Sequence, residues 1–174
     1  NLSTDRFVSL NELEKIYLLQ NSNPNKDLSL DQIKLILNDS SNNNIQKIVE
    51  SVMYGKINKV ASSVHKVFTE GINSIAVIRS LLNYLIRIHS TQIELKKKKG
   101  FEDAIKILKP PVFWKDKEHF QNHCFKWPSH QITQSIGKLT NAEYECKSNS
   151  DFSRQLAEKH IIALTVKGHS LFKS

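Results

Sequence analysis

Residues 45–95 read IQKIVESVMYGKINKVASSVHKVFTEGINSIAVIRSLLNYLIRIHSTQIEL, and this stretch decides the fold class. Its apolar residues recur at spacings of three and four, which places each set on one face of a 3.6-residue helix. The first two sets end at Gly55 and Gly71, and the third ends before Gly100. Glycine often follows a helix because it adopts the left-handed conformation without a Cβ penalty. The stretch therefore predicts three consecutive helices.

The third of these helices, from Ile75 to Leu95, is apolar almost all round. A helix of this kind is expected in the middle of a bundle, where neighbours cover every side. No pair of acids, nucleophile or phosphate loop interrupts the three helices. The stretch therefore predicts packing and association, and it carries no catalytic constellation.

Upstream, two shorter helices are predicted, each beginning with a capping box: Ser9 with Glu12, and Ser29 with Gln32. The segment 38–44, Asn-Asp-Ser-Ser-Asn-Asn-Asn, follows them; its side chains compete for backbone hydrogen bonds and disfavour helix. This segment predicts a boundary between two packing units. The predicted apolar faces are Leu10, Leu13, Ile16 and Tyr17 in the first helix, and Leu30, Ile33, Ile36 and Leu37 in the second.

Downstream, four more helical segments are predicted, and prolines separate the first three of them. Period-two alternation, the mark of a half-buried strand, is not sustained anywhere, so the fold class is predicted to be all-α. The segments are Phe101–Leu108, Asp116–Trp127, one from Ser129 through Ala142, and a last one from Ser150 or Asp151 through Leu164.

The chain is basic, with a formal net charge of +8 that comes from 21 lysines and only four arginines. Arginine reads guanine edges and clamps phosphates, whereas a lysine excess favours loose association with nucleic acid or an acidic partner. The simpler interpretation is a solvated lysine surface. The run Lys96–Lys99 ends a helix, where cations favour the negative end of the helix dipole.

Further features of the sequence bear on the cellular location of the protein and on whether the chain is part of a longer one. No run of eighteen apolar residues occurs, so no membrane span is expected. Cys124 and Cys146 do not form a disulfide framework, and no signal peptide precedes the first helix, which together predict a cytoplasmic protein. Because the chain begins at Asn1 without methionine, we expect it to be a piece of a longer protein.

Several histidines could serve as metal ligands or catalytic bases. His119 and His123 are four residues apart with Cys124 adjacent, and such a pair can hold zinc, but Cys124 points about 100° away from His123 on a helix. His130 is the only further candidate ligand nearby, so surface or half-buried histidines are preferred and no metal is predicted. Three others, in apolar helices, are expected to be hydrogen-bonded structural histidines: His65, His89 and His160.

Aromatic residues and lysines alternate between positions 109 and 127. Such a cluster can stack bases and hold phosphates, form a small core beneath a proline-bent loop, or contact another protein. All three interpretations stay open here. The aromatic residues are Phe113, Trp114, Phe120, Phe125 and Trp127, and the lysines are Lys109, Lys115, Lys117 and Lys126.

No Gly-x4-Gly-Lys-Ser/Thr loop or other glycine-rich phosphate loop occurs, so no nucleotide site and no cofactor are predicted. Glu143 and Lys147 are four apart in the favourable orientation for a helical ion pair.

Several short motifs follow one another along the chain: Thr4–Leu19, with an arginine and then Glu-Leu-Glu-Lys; Leu28–Ile33; Asn38–Asp39; Val52–Lys56; Glu70–Gly71 with Ile75–Arg79; Lys109–Lys115; and Ala142–Ser148. Their order and separation resemble the C-terminal half of the delta subunit family of bacterial DNA polymerase III. Two departures are that Asn73–Ser74 lack the family's frequent proline and 148–150 lack its frequent glycine.

The resemblance implies part of a small helical AAA-type lid in residues 1–42 and a helical-bundle collar domain in residues 43–174. It implies a non-catalytic subunit of the clamp loader, a component of the DNA-directed DNA polymerase holoenzyme, whose collar binds the other loader subunits during DNA replication. The sliding clamp would be reached only through an N-terminal domain that this chain lacks. DNA binding would be weak and non-specific, with no membrane contact.

The residues expected at a subunit interface combine arginines, aromatic residues and one lysine. The alternative function is a free-standing basic helical protein that binds nucleic acid through its lysines. Which collar face meets which neighbour does not follow from the sequence. The candidate interface residues are Arg79, Arg87, Phe113, Trp114, Trp127 and Lys147.

Overall fold

A computed structural model describes residues 13–14, 17–18, 20–21, 44–97 and 100–173 of the chain. The described part is an all-α bundle of seven α-helices with no strand among those residues. Three short 3-10 turns lie between them, at Ile105–Ile107, Trp114–Asp116 and Ser150–Phe152. The helices are α1 (44–53), α2 (Ile57–Thr69), α3 (Ser74–Lys96), α4 (Phe101–Ala104), α5 (Lys117–Lys126), α6 (Ser129–Ser148) and α7 (Ser153–Phe172).

The predicted glycine stops between the first three helices are confirmed. Gly55 and Gly71 have φ angles of 67° and 82°, in the left-handed region that glycine adopts at little cost. Helix α3 then begins at a polar cap, where the backbone N–H of Ile75 donates to Asn73 Oδ1 at 2.8 Å. The glycine turns therefore set where α1 and α2 end, and the cap sets where α3 begins.

Helix α3 lies at the centre of the bundle and packs on α4, α5, α6 and α7. It runs antiparallel to α6, because Arg79 near its start contacts Glu143 near the end of α6. Gln92, near the end of α3, donates from Nε2 to the carbonyls of Cys124 and Trp127, just before α6 begins. These two bonds satisfy carbonyls at the end of α5 that lack a helical partner.

The predicted apolar faces of α1, α2 and α3 form one core with residues from α5, α6 and α7. Among the side chains that are completely buried are Val52, Val60, Leu81, Leu85 and Ile161. The backbone of the turn between α1 and α2 closely approaches that of α7, since Gly55 lies against Gly168 and His169.

The prediction that α3 is covered on every side is wrong in part. Its Ile86 and Ile93 side chains are 43% and 42% exposed, while Leu81, Leu85 and Ile88 on the opposite face are completely buried. The neighbours of α3 cover only one broad face of the helix, so its apolar residues extend beyond the core.

Most of the predicted lid region, residues 1–42, lies outside the described residues, as does all but residue 44 of the predicted boundary segment 38–44. The short described stretches are helical, at 13–14, 17–18 and 20–21. Leu13 and Tyr17, expected on a buried apolar face, are 48% and 66% exposed. The division at residue 42 stays a prediction.

Candidate association surface

The proline-bent loop before α5 exposes two aromatic rings. Pro110 and Pro111 interrupt helix formation, and the chain then turns through Phe113 into the 3-10 turn Trp114–Asp116. Phe113 and Trp114 are 56% and 69% exposed, and their ring centroids are 5.8 Å apart. The interpretation of the aromatic cluster as a small core beneath this loop therefore does not hold for these two rings.

A groove of about 560 Å³ lies beside these rings, between α1, α3, the proline loop and α5. Arg87 of α3 forms part of its lining and donates from Nη1 to the carbonyl of Pro110 at 2.8 Å, which ties the loop to the bundle. The Arg87 guanidinium also lies 5.9 Å from the Phe120 ring centre. Apolar lining comes from Val49, Val112, Phe113 and Phe120, and charged lining from Lys47, Glu50, Arg87 and Asp116.

The structure joins Arg79 and Lys147, two more of the predicted interface residues, at one carboxylate. Arg79 Nε and Lys147 Nζ donate to the same Glu143 oxygen, at 2.8 and 2.6 Å. The predicted pair Glu143–Lys147 is confirmed, and Arg79, 64 positions away in sequence, is the partner that local spacing did not reveal. Hydrogen bonds from Lys147 and Arg79 hold the pKa of Glu143 below its usual value.

Trp127, the remaining predicted interface residue, belongs to the core. Its side chain is 1% exposed, and its indole Nε1 donates to the carbonyl of Met53 at 3.1 Å. This bond satisfies a carbonyl at the end of α1 and fixes α5 against α1. The Trp127 side chain is therefore unavailable to a surface contact, and the other five candidates lie in two places, around the groove and around Glu143.

The histidine pair of α5 takes part in an aromatic cluster rather than a convergent set of ligands. His119 Nδ1 lies 2.7 Å from the Tyr54 hydroxyl, and His123 Nδ1 lies 2.8 Å from the Tyr84 hydroxyl. The His123 ring centre lies 4.3 Å from that of Tyr54, with the two ring planes tilted by 59°, and the His123 side chain is completely buried. Among the described residues, no three side chains of His, Cys, Asp or Glu come together as metal ligands would.

Burial changes the acidity of this cluster. It lowers the pKa of His123 to about 3, with a further contribution from the positive fields of His119 and Lys56. Burial also raises the pKa of the Cys124 thiol to about 12 and that of Tyr84 above its usual value. His123 is therefore neutral at physiological pH, and Cys124 is a protonated core residue.

The three other histidines in apolar helices differ from one another. His160 Nε2 lies 3.0 Å from Glu145 Oε2, as expected of a hydrogen-bonded structural histidine. His89 is half-buried, and its Nδ1 has no partner in the described part of the chain. His65 is exposed on α2, and its expected hydrogen-bonded structural role stays a prediction.

Acid should destabilise the bundle through His123. Its pKa is about 6.5 when unfolded and about 3 when folded, so its contribution to stability is complete above pH 6.5 and is lost as the pH falls toward 3. At pH 5 this single group should lower the free energy of unfolding by about 2 kcal/mol relative to pH 8.

The measurement is urea unfolding at both pH values for the unmodified chain and for His123→Phe, which keeps an aromatic ring but cannot be protonated. The phenylalanine variant should show a pH difference smaller by about 2 kcal/mol. Equal pH differences in the two proteins would show that another group controls the acid response.

Comparison of the chain with protein-family models, with curated proteins and with solved structures finds no match. Within the described residues, none of the helices has the length and apolar character needed to cross a membrane.

Proposed function

We propose that this chain is a non-catalytic association element of the replicative clamp loader of DNA polymerase III, and that residues 43–174 act as its collar. The proposal rests on the ordered motifs that resemble the delta subunit family, and on the all-α bundle, which is the fold class that the resemblance implies. In this proposal the chain is cytoplasmic, binds the other loader subunits and has no ATPase activity of its own.

The observation that carries the association role is the pair of exposed rings beside the groove. Phe113 and Trp114 leave more than half of their surface uncovered, although aromatic side chains gain free energy when they leave water. Aromatic residues and arginine are enriched at the centres of protein interfaces. Arg87 lies beside this pair, so the groove and its rim have the composition of a contact site.

Replacing both rings by alanine should weaken assembly without unfolding the bundle. Because buried aromatic residues at an interface each commonly contribute more than 1 kcal/mol, Phe113→Ala/Trp114→Ala should bind the other loader subunits at least about tenfold more weakly. The matched control is Tyr144→Ala, which removes a ring that is 73% exposed on α6.

Affinity is measured by titrating each variant into a mixture of the cognate loader subunits and following complex formation by gel filtration. Loss of binding in the double variant, with the Tyr144 variant unchanged, supports the proposal. Equal incorporation of the unmodified chain, the double variant and the Tyr144 variant would show that Phe113 and Trp114 do not belong to the association surface.

Nucleic acid is the second candidate ligand, and a specific contact favours it. Lys115 Nζ lies 5.2 Å from the Trp114 ring centre, so a cation accompanies the exposed aromatic surface. Rings that stack on bases and lysines that contact phosphates are the usual elements of single-strand binding. With 21 lysines and four arginines, binding should be weak and independent of sequence.

Fluorescence anisotropy with two unrelated single-stranded DNA oligonucleotides over a salt series tests this expectation. Both oligonucleotides should bind alike, and affinity should fall steeply as salt rises because bound counterions are released. Tight binding of one sequence at physiological salt would instead favour the alternative, a free-standing nucleic-acid-binding protein.

A further inference from the structure

One face of α3 carries a stripe that the bundle covers only in part. Its members follow one another at steps of four, three, four, three and four residues, so they lie along a single line on the helix. From first to last the line is about 27 Å long, at 1.5 Å per residue. The stripe, called the α3 stripe below, consists of Ile75, Arg79, Leu82, Ile86, His89 and Ile93.

The α3 stripe is apolar at its centre and partly uncovered. Ile86 and Ile93 are 43% and 42% exposed, and Ile75 and Leu82 are half-buried against the core. His89 lies in the same line with a Nδ1 that has no hydrogen-bond partner among the described residues. This line of partly exposed apolar side chains matches the spacing by which one helix recognises another.

Positive charge flanks the α3 stripe at both ends. Near its start, Arg79 and Lys147 share the single carboxylate of Glu143, so this cluster keeps a net positive charge. At its end, exposed Lys96 makes no ion pair within the described part, and Lys97 follows, paired with Glu94. No carboxylate belongs to the stripe itself.

We propose that the α3 stripe binds an amphipathic helix of a neighbouring subunit, apolar along its centre and carrying carboxylates beside both ends. This inference rests on the proposed function and names the partner surface that the assembly requires. Carboxylates at those positions would complement Arg79 and Lys147 at one end and Lys96 at the other.

Charge argues against a second copy of this chain as the occupant. Two α3 stripes pair either parallel or antiparallel, and in both arrangements the positive end of one copy meets a positive end of the other. Like charges brought together at an interface are costly. A lipid surface also fits poorly, because side chains that are less than half exposed along one line cannot reach the acyl region as a broad apolar face does.

The test substitutes glutamate at the two most exposed apolar positions of the stripe, Ile86→Glu/Ile93→Glu, in the full chain. The matched control is Ile162→Glu on α7, where the isoleucine is 39% exposed. Each protein is titrated into the complete set of cognate loader subunits, and its thermal unfolding is compared with that of the unmodified chain. The stripe variant should enter the complex at least tenfold more weakly, and the control should enter as the unmodified chain does.

A second variant, Lys96→Glu, keeps the test independent of folding, because it reverses one exposed charge at the end of the stripe. It should weaken incorporation several-fold, and less so at high salt. If the stripe variant and Lys96→Glu both enter the complex with the affinity of the unmodified chain, the inference is wrong, while the proposed function is unaffected. Failure of the unmodified chain to enter would overturn the proposed function together with the inference.

The isolated protein distinguishes the other occupants. Light scattering should show a monomer. In a co-sedimentation experiment, the α3 stripe should not mediate binding of the protein to vesicles that contain anionic lipid. A dimer, or vesicle binding, that is abolished by Ile86→Glu/Ile93→Glu would overturn the inference in favour of a second copy or of a membrane.

Discussion

Gly55→Ala should lower the free energy of unfolding by about 4 kcal/mol or more, because two costs add at this position. Gly55 has a φ of 67°, which an alanine adopts only under strain, and a Cβ built there would lie 1.9 Å from the backbone nitrogen of His169. Backbone atoms of α7 cannot move aside as the end of a side chain can. The α1–α2 turn and the end of α7 would have to separate.

Gly137→Ala is the matched control. Gly137 lies within α6 with open space where its Cβ would be, so alanine there should stabilise the bundle by up to about 1 kcal/mol through its better helix propensity. Urea unfolding of the two variants and the unmodified chain measures both effects. A Gly55 variant as stable as the unmodified chain would show that the α1–α2 turn does not pack on α7.

Leu85→Ala should cost about 2–5 kcal/mol, the usual range for a leucine removed from a well-packed core. Leu85 is completely buried on α3, the helix that packs on four others, so its neighbours cannot easily close the cavity. The expected result is a clear fall in the midpoint of thermal unfolding.

Ile86→Ala, at the next position of the same helix, is the control for Leu85→Ala. Both substitutions introduce alanine into α3, but the side chains that they remove differ in burial, so the comparison separates burial from helix propensity. Its side chain is 43% exposed, so its loss should cost less than half as much as that of Leu85. Equal destabilisation by the two substitutions would mean that both faces of α3 are buried, and a negligible effect of Leu85→Ala would place α3 at the periphery.

The helices could be predicted from the sequence because their signals are local. Spacing of apolar residues identified α1, α2 and α3, and glycines and prolines marked their ends and the loop before α5. Which face of α3 is covered depends instead on where α6 and α7 lie, and this is a property of the tertiary structure. The exposed side of α3 can therefore be identified only once the positions of α6 and α7 are known.

The candidate surface was predictable only in part, for the same reason. The cluster of aromatic residues and lysines between positions 109 and 127 indicated Phe113 and Trp114 as candidates, and they are exposed. The same cluster included Trp127, which is buried and donates to the carbonyl of Met53, 74 positions away. The contact of Arg79 with Glu143 spans 64 positions, and spacing along one helix cannot reveal it.

Light scattering coupled to gel filtration, applied to the unmodified chain mixed with all other cognate clamp-loader subunits, tests the association role. A full-length delta subunit serves as the positive control. The account predicts that the chain enters the complete complex in place of that subunit, increases its mass by one copy and adds no ATP hydrolysis of its own. A complex that forms with the full-length control but excludes this chain would contradict the collar assignment.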